Sequence, residues 1–148
     1  MARIMVVQGS GRKHGYTATL MYDIAGELEK VPGIEVEIHH LHNYTFGPCK
    51  SCFFCIRNVG KGCALDDDWG RKGEGELYKA FKRANGLLMV DPVHGWGASA
   101  AARVFIERIY PTFWEGIPYG LPFASVSCAS NQGFQTRAVE DFCKFSAA

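Results

Sequence analysis

Two things are scarce in this sequence: net charge and long apolar runs. Lys and Arg number 16 and Asp and Glu 15 across 148 residues, a formal net charge of +1. So balanced a chain has no large single-sign field to attract nucleic acid or an anionic membrane surface, and neither partner is expected. No stretch approaches the ~20 apolar residues of a membrane span. The N-terminus, Met1 to Gly9, has the character of a short strand rather than of a leader with a small-residue cleavage site. A cytoplasmic protein without membrane attachment is expected. Internal repeats and low-complexity segments are absent too. In a reducing compartment a disulfide framework is the least favoured use of the 6 cysteines, and metal ligation or redox chemistry the more favoured.

What is present is enough for one compact core, since 47% of the positions are apolar, and too little for two ordinary domains. The expected domain is 1–148, with a cysteine-rich loop at about 42–75. Arg3 to Val7 reads as a buried parallel strand that stops at Gly9-Ser10-Gly11. Leu20, Met21, Ile24, Ala25 and Leu28 recur at helical spacing until Pro32-Gly33 ends the pattern. Ile34 to Ile38 alternates apolar and acidic residues, as an edge strand does. After the long loop, a helix through Leu77, Ala80, Phe81 and Ala84 leads to a strand from Gly86 to Val90. A helix over about Ser99 to Tyr110, a strand over about Pro122 to Ser127 and a last helix to about Phe145 complete the pattern. This order predicts an α/β fold: a doubly wound, mostly parallel sheet in three α/β/α layers.

The loop from Gly9 to Thr17 lies between the first strand and the first helix, where a doubly wound sheet binds phosphate through free N–H groups and the positive helix end. Ser10 and Thr17 offer hydroxyls, Arg12 a charge, and the glycines close backbone approach. The loop lacks the Gly-Lys-Ser/Thr ending of a P-loop and the full G-x-G-x-x-G dinucleotide signature. A plain connector whose hydroxyls cap the helix is the alternative. Further on, Cys49-x2-Cys52-x2-Cys55-x7-Cys63 offers closely spaced thiols with a flexible return through Gly60 and Gly62, as a cubane iron–sulfur cluster needs. Lys50, Arg57 and Lys61 would offset its charge. Zinc, and an empty remnant in which the three leading cysteines pack on one helix face, also stand as readings. Cys128 and Cys143 read as core residues, and Asp66-Asp67-Asp68 as a solvated helix start rather than a metal site.

The pattern Ser10, Arg12, Gly15, Thr17 resembles the FMN-phosphate loop of the NAD(P)H-dependent FMN reductase superfamily, which is flavodoxin-like, and in particular its iron–sulfur flavoprotein branch. Asp91-Pro92-Val93-His94-Gly95 is similar to the family's segment after the third strand. Arg103 to Arg108 is similar to its helix motif, and Asn131-Gln132-Gly133 to its loop beside the flavin ring. The family usually has Tyr where His94 stands, so that ring stacking either falls to Trp96 or is lost. The resemblance implies FMN held by Ser10, Arg12, Gly15, Tyr16, Thr17, Pro92, Val93, His94, Gly95, Trp96, Asn131, Gln132 and Gly133. It also implies a 4Fe-4S cluster held by Cys49, Cys52, Cys55 and Cys63, and no catalytic side chain, because the flavin carries the chemistry.

The expected function is that of an FMN-dependent oxidoreductase that passes electrons between FMN and the cluster. Its expected donor or acceptor is NAD(P)H, a ferredoxin-type carrier or a quinone. Two alternatives stand beside it: a simple FMN or quinone reductase with vestigial cysteines, and a non-enzymatic flavodoxin-like subunit of a larger complex. On the strand count above, the sheet lacks a fifth strand and its helix. The bare edge so created predicts a homo-oligomer or a partner subunit, with the aromatic segment from Tyr110 to Tyr119 as core, flavin cover or contact surface.

Overall fold

The computed structural model describes residues 1–130 and 133–146. Strand β1 (Ala2–Gln8) is followed by helix α1 (Tyr16–Glu29) and strand β2 (Ile34–His40). Two turns of tight helix, Leu41–Asn43 and Arg71–Gly73, bracket a long loop that holds the one-turn helix α2 (Phe54–Arg57). Helix α3 (Glu76–Arg83), strands β3 (Gly86–His94) and β4 (Gly97–Ala98), and helices α4 (Ala100–Arg108) and α5 (Tyr110–Trp114) follow. Strand β5 (Phe123–Cys128) and helix α6 (Gln135–Ser146) complete the order.

β1 runs parallel to β2, with Ala2 opposite Ile34, and parallel to β3, with Ile4 opposite Gly86. β5 lies parallel on the other side of β3, with Leu87 opposite Phe123. The period of two along these strands sorts the core into two layers. Met5, Val7, Leu87 and Met89 face α3, α4 and α6 through Leu77, Phe81, Phe105 and Phe142. Val6, Leu88 and Val90 face Met21, Ile24 and Leu28 of α1. The expected three-layer α/β/α arrangement is the one found. At the edge, β2 uses its alternate acids in ion pairs: Glu35 with Arg3, and Glu37 with Arg83 and His39.

One expectation is corrected. The sheet does not stop at four strands: it has five among the described residues, because the chain turns back after β3 and pairs β4 antiparallel to it, Val93 opposite Ala98 and His94 opposite Gly97. The connection is the two-residue loop Gly95-Trp96, with both φ angles positive at 55° and 65°, the geometry a tight two-residue hairpin demands. A two-residue strand carries no period, so the sequence pattern does not announce it.

The long loop is not structureless either. Trp69 is fully buried and meets Phe105 edge-on at 5.4 Å, so the end of the loop is part of the core. Asp66 to Asp68 begin no helix. Asp67 instead pairs with the buried Arg108, and Asp68 accepts the Thr45 N–H at 2.6 Å.

Candidate functional site

The first site is assembled at the carboxyl ends of the strands. The sheet order reverses between β1 and β3, so the loops that leave these two strands diverge to opposite faces and open a crevice. Ser10, Gly11, Arg12, Gly15, Tyr16 and Thr17 line one side of a cleft of about 870 Å³, and Pro92, Val93 and His94 another. An adjoining recess of about 320 Å³ is lined by Gly95, Trp96, Gly133 and Phe134 and shares Val93, Ala129 and Ser130 with the cleft. All the expected cofactor residues among those described border either the cleft or this neighbouring recess. Asn131 and Gln132 lie outside the described residues.

Phosphate chemistry suits the loop. The first turn of α1 has Gly15 at its cap and no side chain capping it, so its N–H groups are not taken by a side chain. Ser10 Oγ accepts the Arg12 N–H at 3.1 Å, which leaves the hydroxyl proton for a ligand. Thr17 is buried at the mouth of the helix, while Arg12 and Tyr16 are exposed. This donor set fits the phosphate of FMN. A helix that used these hydroxyls as its own caps would show the cap bond that is missing here.

Beneath the loop lies a buried polar lock. Asp91, in the C-terminal half of β3, accepts the Ser99 N–H at 2.7 Å on one oxygen and the Ser99 hydroxyl at 2.6 Å on the other. Ser99 in turn accepts the Ala102 N–H at 3.2 Å and so caps α4. Its hydroxyl also lies 3.2 Å from the Gly9 carbonyl, which His42 Nε2 approaches at 3.1 Å. Burial pushes the Asp91 carboxyl up to about 6, against the opposing pull of its Ser99 hydrogen bonds, His94 and Arg103. Gly9 admits no side chain: a Cβ would stand 1.9 Å from Asp91 Oδ1. The sequence reading missed Ser99, His42 and the Cys128–Ser130 strand end. Ser99 was visible as a cap residue before an apolar helix, and Cys128 as the residue that ends a parallel strand. His42 carried no local signal. Cys128 thus lines the cleft and Cys143 is exposed on α6, so neither is the core residue expected, and no cysteine is in a disulfide.

The second site is the cysteine loop. Cys49, Cys52, Cys55 and Cys63 all line one pocket of about 530 Å³, closed on the far side by Ile106, Arg108, Pro111 and Phe113. Only Cys55 lies in a helix, while Ser51 and Phe53 have positive φ, so the three leading cysteines do not stack on one helix face. The end of α4 ties the loop down: Glu107 Oε2 accepts the Cys49 N–H at 3.0 Å, and Arg108 donates to the Gly47 carbonyl at 2.6 Å. Arg108 is 1% exposed and pairs with both oxygens of Asp67 at 2.7 and 2.8 Å. Burial opposes its charge, but Asp67 and Cys63 outweigh that and strengthen it. Its Nε is buried without a hydrogen-bond partner. Among the described residues no three Cys, His, Asp or Glu side chains converge closely enough to hold one metal ion. A four-iron cluster is larger than one ion and its thiolates stand correspondingly further apart. Four thiols around one pocket, with an orphaned buried donor in its wall, fit such a group.

The NADPH-dependent FMN reductase family model matches residues 2–142. The chain belongs to this family. Among curated relatives, it is 29% identical over 109 residues to an iron–sulfur flavoprotein of Methanocaldococcus jannaschii, covering 74% of this chain and 52% of that one. It is 27% identical over 104 residues to an iron–sulfur flavoprotein of Archaeoglobus fulgidus, covering 70% and 50%. The chain thus spans about half the length of these relatives. Its fold is similar to that of a flavodoxin-type WrbA-like protein from Agrobacterium tumefaciens, with a TM-score of 0.66 and 13% identity over 99% of this chain and 73% of that one. The likeness shows the flavodoxin-like α/β fold, and no helix among the described residues is long and apolar enough to cross a membrane.

Proposed function

We propose that this member of the FMN reductase family is an oxidoreductase that moves electrons between FMN in the β1–β3 cleft and a 4Fe-4S cluster in the cysteine pocket. The observation that carries this reading is that one helix serves both sites. Ser99, Ala100 and Ala101 at the start of α4 line the cleft, and Ile106, Glu107 and Arg108 at its end line the cysteine pocket. At 1.5 Å per residue, Ala100 and Arg108 stand about 12 Å apart along the axis. The chain's own residues bind and position: Ser10, Thr17 and the first turn of α1 receive the phosphate, with Arg12 at the rim. Pro92 to Trp96 and Gly133 border the ring space. Cys49, Cys52, Cys55 and Cys63 would hold the cluster. When bound, FMN supplies one- and two-electron chemistry and the cluster supplies one-electron transfer.

NAD(P)H, a ferredoxin-type carrier or a quinone is the proposed exchange partner, and the cytoplasm the proposed location. The exposed aromatic side chains of Tyr110, Trp114 and Tyr119 support a contact with another copy or a partner subunit. The second reading is a simple NAD(P)H-dependent FMN or quinone reductase, in which the cleft works without a cluster in the cysteine pocket. An anaerobic absorption spectrum with iron and acid-labile sulfide analysis separates them. Flavin bands with about four irons per chain support the two-centre protein. Flavin without iron leaves the simple reductase, and no chromophore overturns both. Ser10→Ala and Arg12→Ala should each weaken FMN about tenfold and leave riboflavin unchanged, as the loss of one phosphate contact does.

A further inference from the structure

We infer that Arg108 tunes the cysteine pocket as its buried cation and hydrogen-bond donor, stabilising the added negative charge when the pocket's cluster takes up an electron. The inference rests on the reading of Cys49, Cys52, Cys55 and Cys63 as cluster ligands. It begins with a guanidinium that packing alone does not require. Arg108 is 1% exposed, and an arginine so placed carries a large desolvation cost that an apolar side chain of the same size would not. Asp67 compensates part of that cost, and the Gly47 carbonyl satisfies a further N–H.

What remains points at the pocket. Nη2 lies 3.5 Å from the Cys63 sulfur, within the range of an N–H···S hydrogen bond, and the buried Nε–H has no acceptor among the described residues. A sulfur anion in the pocket supplies the kind of acceptor this donor set lacks. Other cations line the pocket, Lys50 and Lys144, but both are exposed and water screens them. Glu107 and Asp141 also line it; Glu107 is committed to the Cys49 N–H and Asp141 to Arg103 at 2.9 Å. Arg108 is therefore the one buried cation among the described lining residues.

The step concerned is a one-electron reduction of the cluster. No bond forms or breaks, and the electron comes from reduced flavin or, in a titration, from dithionite. Hydrogen bonds to cluster sulfurs and nearby positive charge raise a reduction potential, because they favour the more negative state. Asp67 opposes this by neutralising the guanidinium. The two partners of one ion pair are thus assigned opposite effects, which a purely structural role for the pair would not produce.

The test is a spectroelectrochemical titration of the full chain, loaded anaerobically with iron and sulfide, as wild type, Arg108→Met, Arg108→Lys and Asp67→Asn. Arg108→Met should lower the midpoint by at least a tenfold change in the oxidised-to-reduced ratio at fixed potential, which is about 59 mV for one electron. Arg108→Lys should restore part of that shift, and Asp67→Asn should move the midpoint upward. Should Arg108→Met fail to fold, pulsed electron paramagnetic resonance of the reduced wild-type cluster with ¹⁵N-arginine supplies a second readout. A hyperfine coupling to the label is expected, and its absence overturns the inference. Loaded variants whose oxidised-to-reduced ratios at fixed potential stay within twofold of wild type, or whose midpoints all shift the same way, overturn the role of Arg108 alone. A wild type that takes up no iron overturns the cluster reading and this inference together.

Discussion

Asp91→Asn probes the lock beneath the phosphate loop through its pH dependence. Burial raises the Asp91 carboxyl from an ordinary 3.8 to about 6, a shift of about two units, or ~3 kcal/mol at 1.36 kcal/mol per unit. The sign follows from proton uptake. Between pH 3.8 and about 6 the native state holds a proton on Asp91 that the unfolded chain has released, so native stability falls as pH rises through this window. Above about 6 the native carboxylate is charged and buried, and the Ser99 hydrogen bonds, His94 and Arg103 offset only part of that cost. The amide of the Asp91→Asn variant has no such titration, and every other group titrates alike in the two proteins. Urea unfolding of both at one FMN concentration should show the wild type losing about 2 kcal/mol relative to the variant between pH ~4.5 and ~7.5. A difference that stays flat within about 0.5 kcal/mol, or that changes in the opposite direction, refutes the assignment of Asp91 as a carboxyl raised by burial.

Asp67→Ala leaves the Arg108 charge buried without its partner and should cost about 3 to 5 kcal/mol by urea unfolding at neutral pH. In the wild type, the Asp67 carboxyl is held below its ordinary value: burial opposes this, but the Arg108 hydrogen bond and charge prevail. The stability it contributes is accordingly present at neutral pH and lost as pH falls through its folded value. Gly9→Ala forces a Cβ against an Asp91 oxygen that Ser99 holds in place. We expect a loss of about 3 kcal/mol in the free energy of urea unfolding and weaker FMN binding by fluorescence titration. Trp96→Gly relieves a bulky residue at φ 65° whose side chain is 69% exposed. Thermal unfolding should show a gain of up to about 1 kcal/mol, the left-handed cost less the added entropy of glycine.

Much of the frame was legible because it is written locally. The run Arg3 to Val7 and the run Gly86 to Val90 are near-continuous apolar stretches, which only strands buried on both faces require, and the helical spacing of Leu20, Met21, Ile24 and Leu28 marks the helix between them. The glycines and hydroxyls from Gly9 to Thr17 stand where a strand meets a helix, so the phosphate loop followed from order alone. The four close cysteines were equally plain. Less legible were elements too short for a period: α2, α5, and β4, which changed the strand count from four to five. Exposure decided other errors. Asp67 looks like a solvated acid because its partner, Arg108, lies 41 residues away in sequence.

By itself, the sequence determined the α/β class, the parallel order, the two clusters of chemistry-bearing residues and the family resemblance. These rest on period, composition and spacing within a few residues, where chain connectivity brings the groups together. Tertiary structure alone decided that Asp91, Ser99, Gly9 and His42 meet beneath the loop, and that Arg108 reaches Cys63 and Asp67. It also decided that one helix, α4, borders both sites. Such contacts join segments far apart in the chain, and their energies depend on burial, which raises Asp91, leaves Arg108 reliant on Asp67 and exists only once the layers have packed.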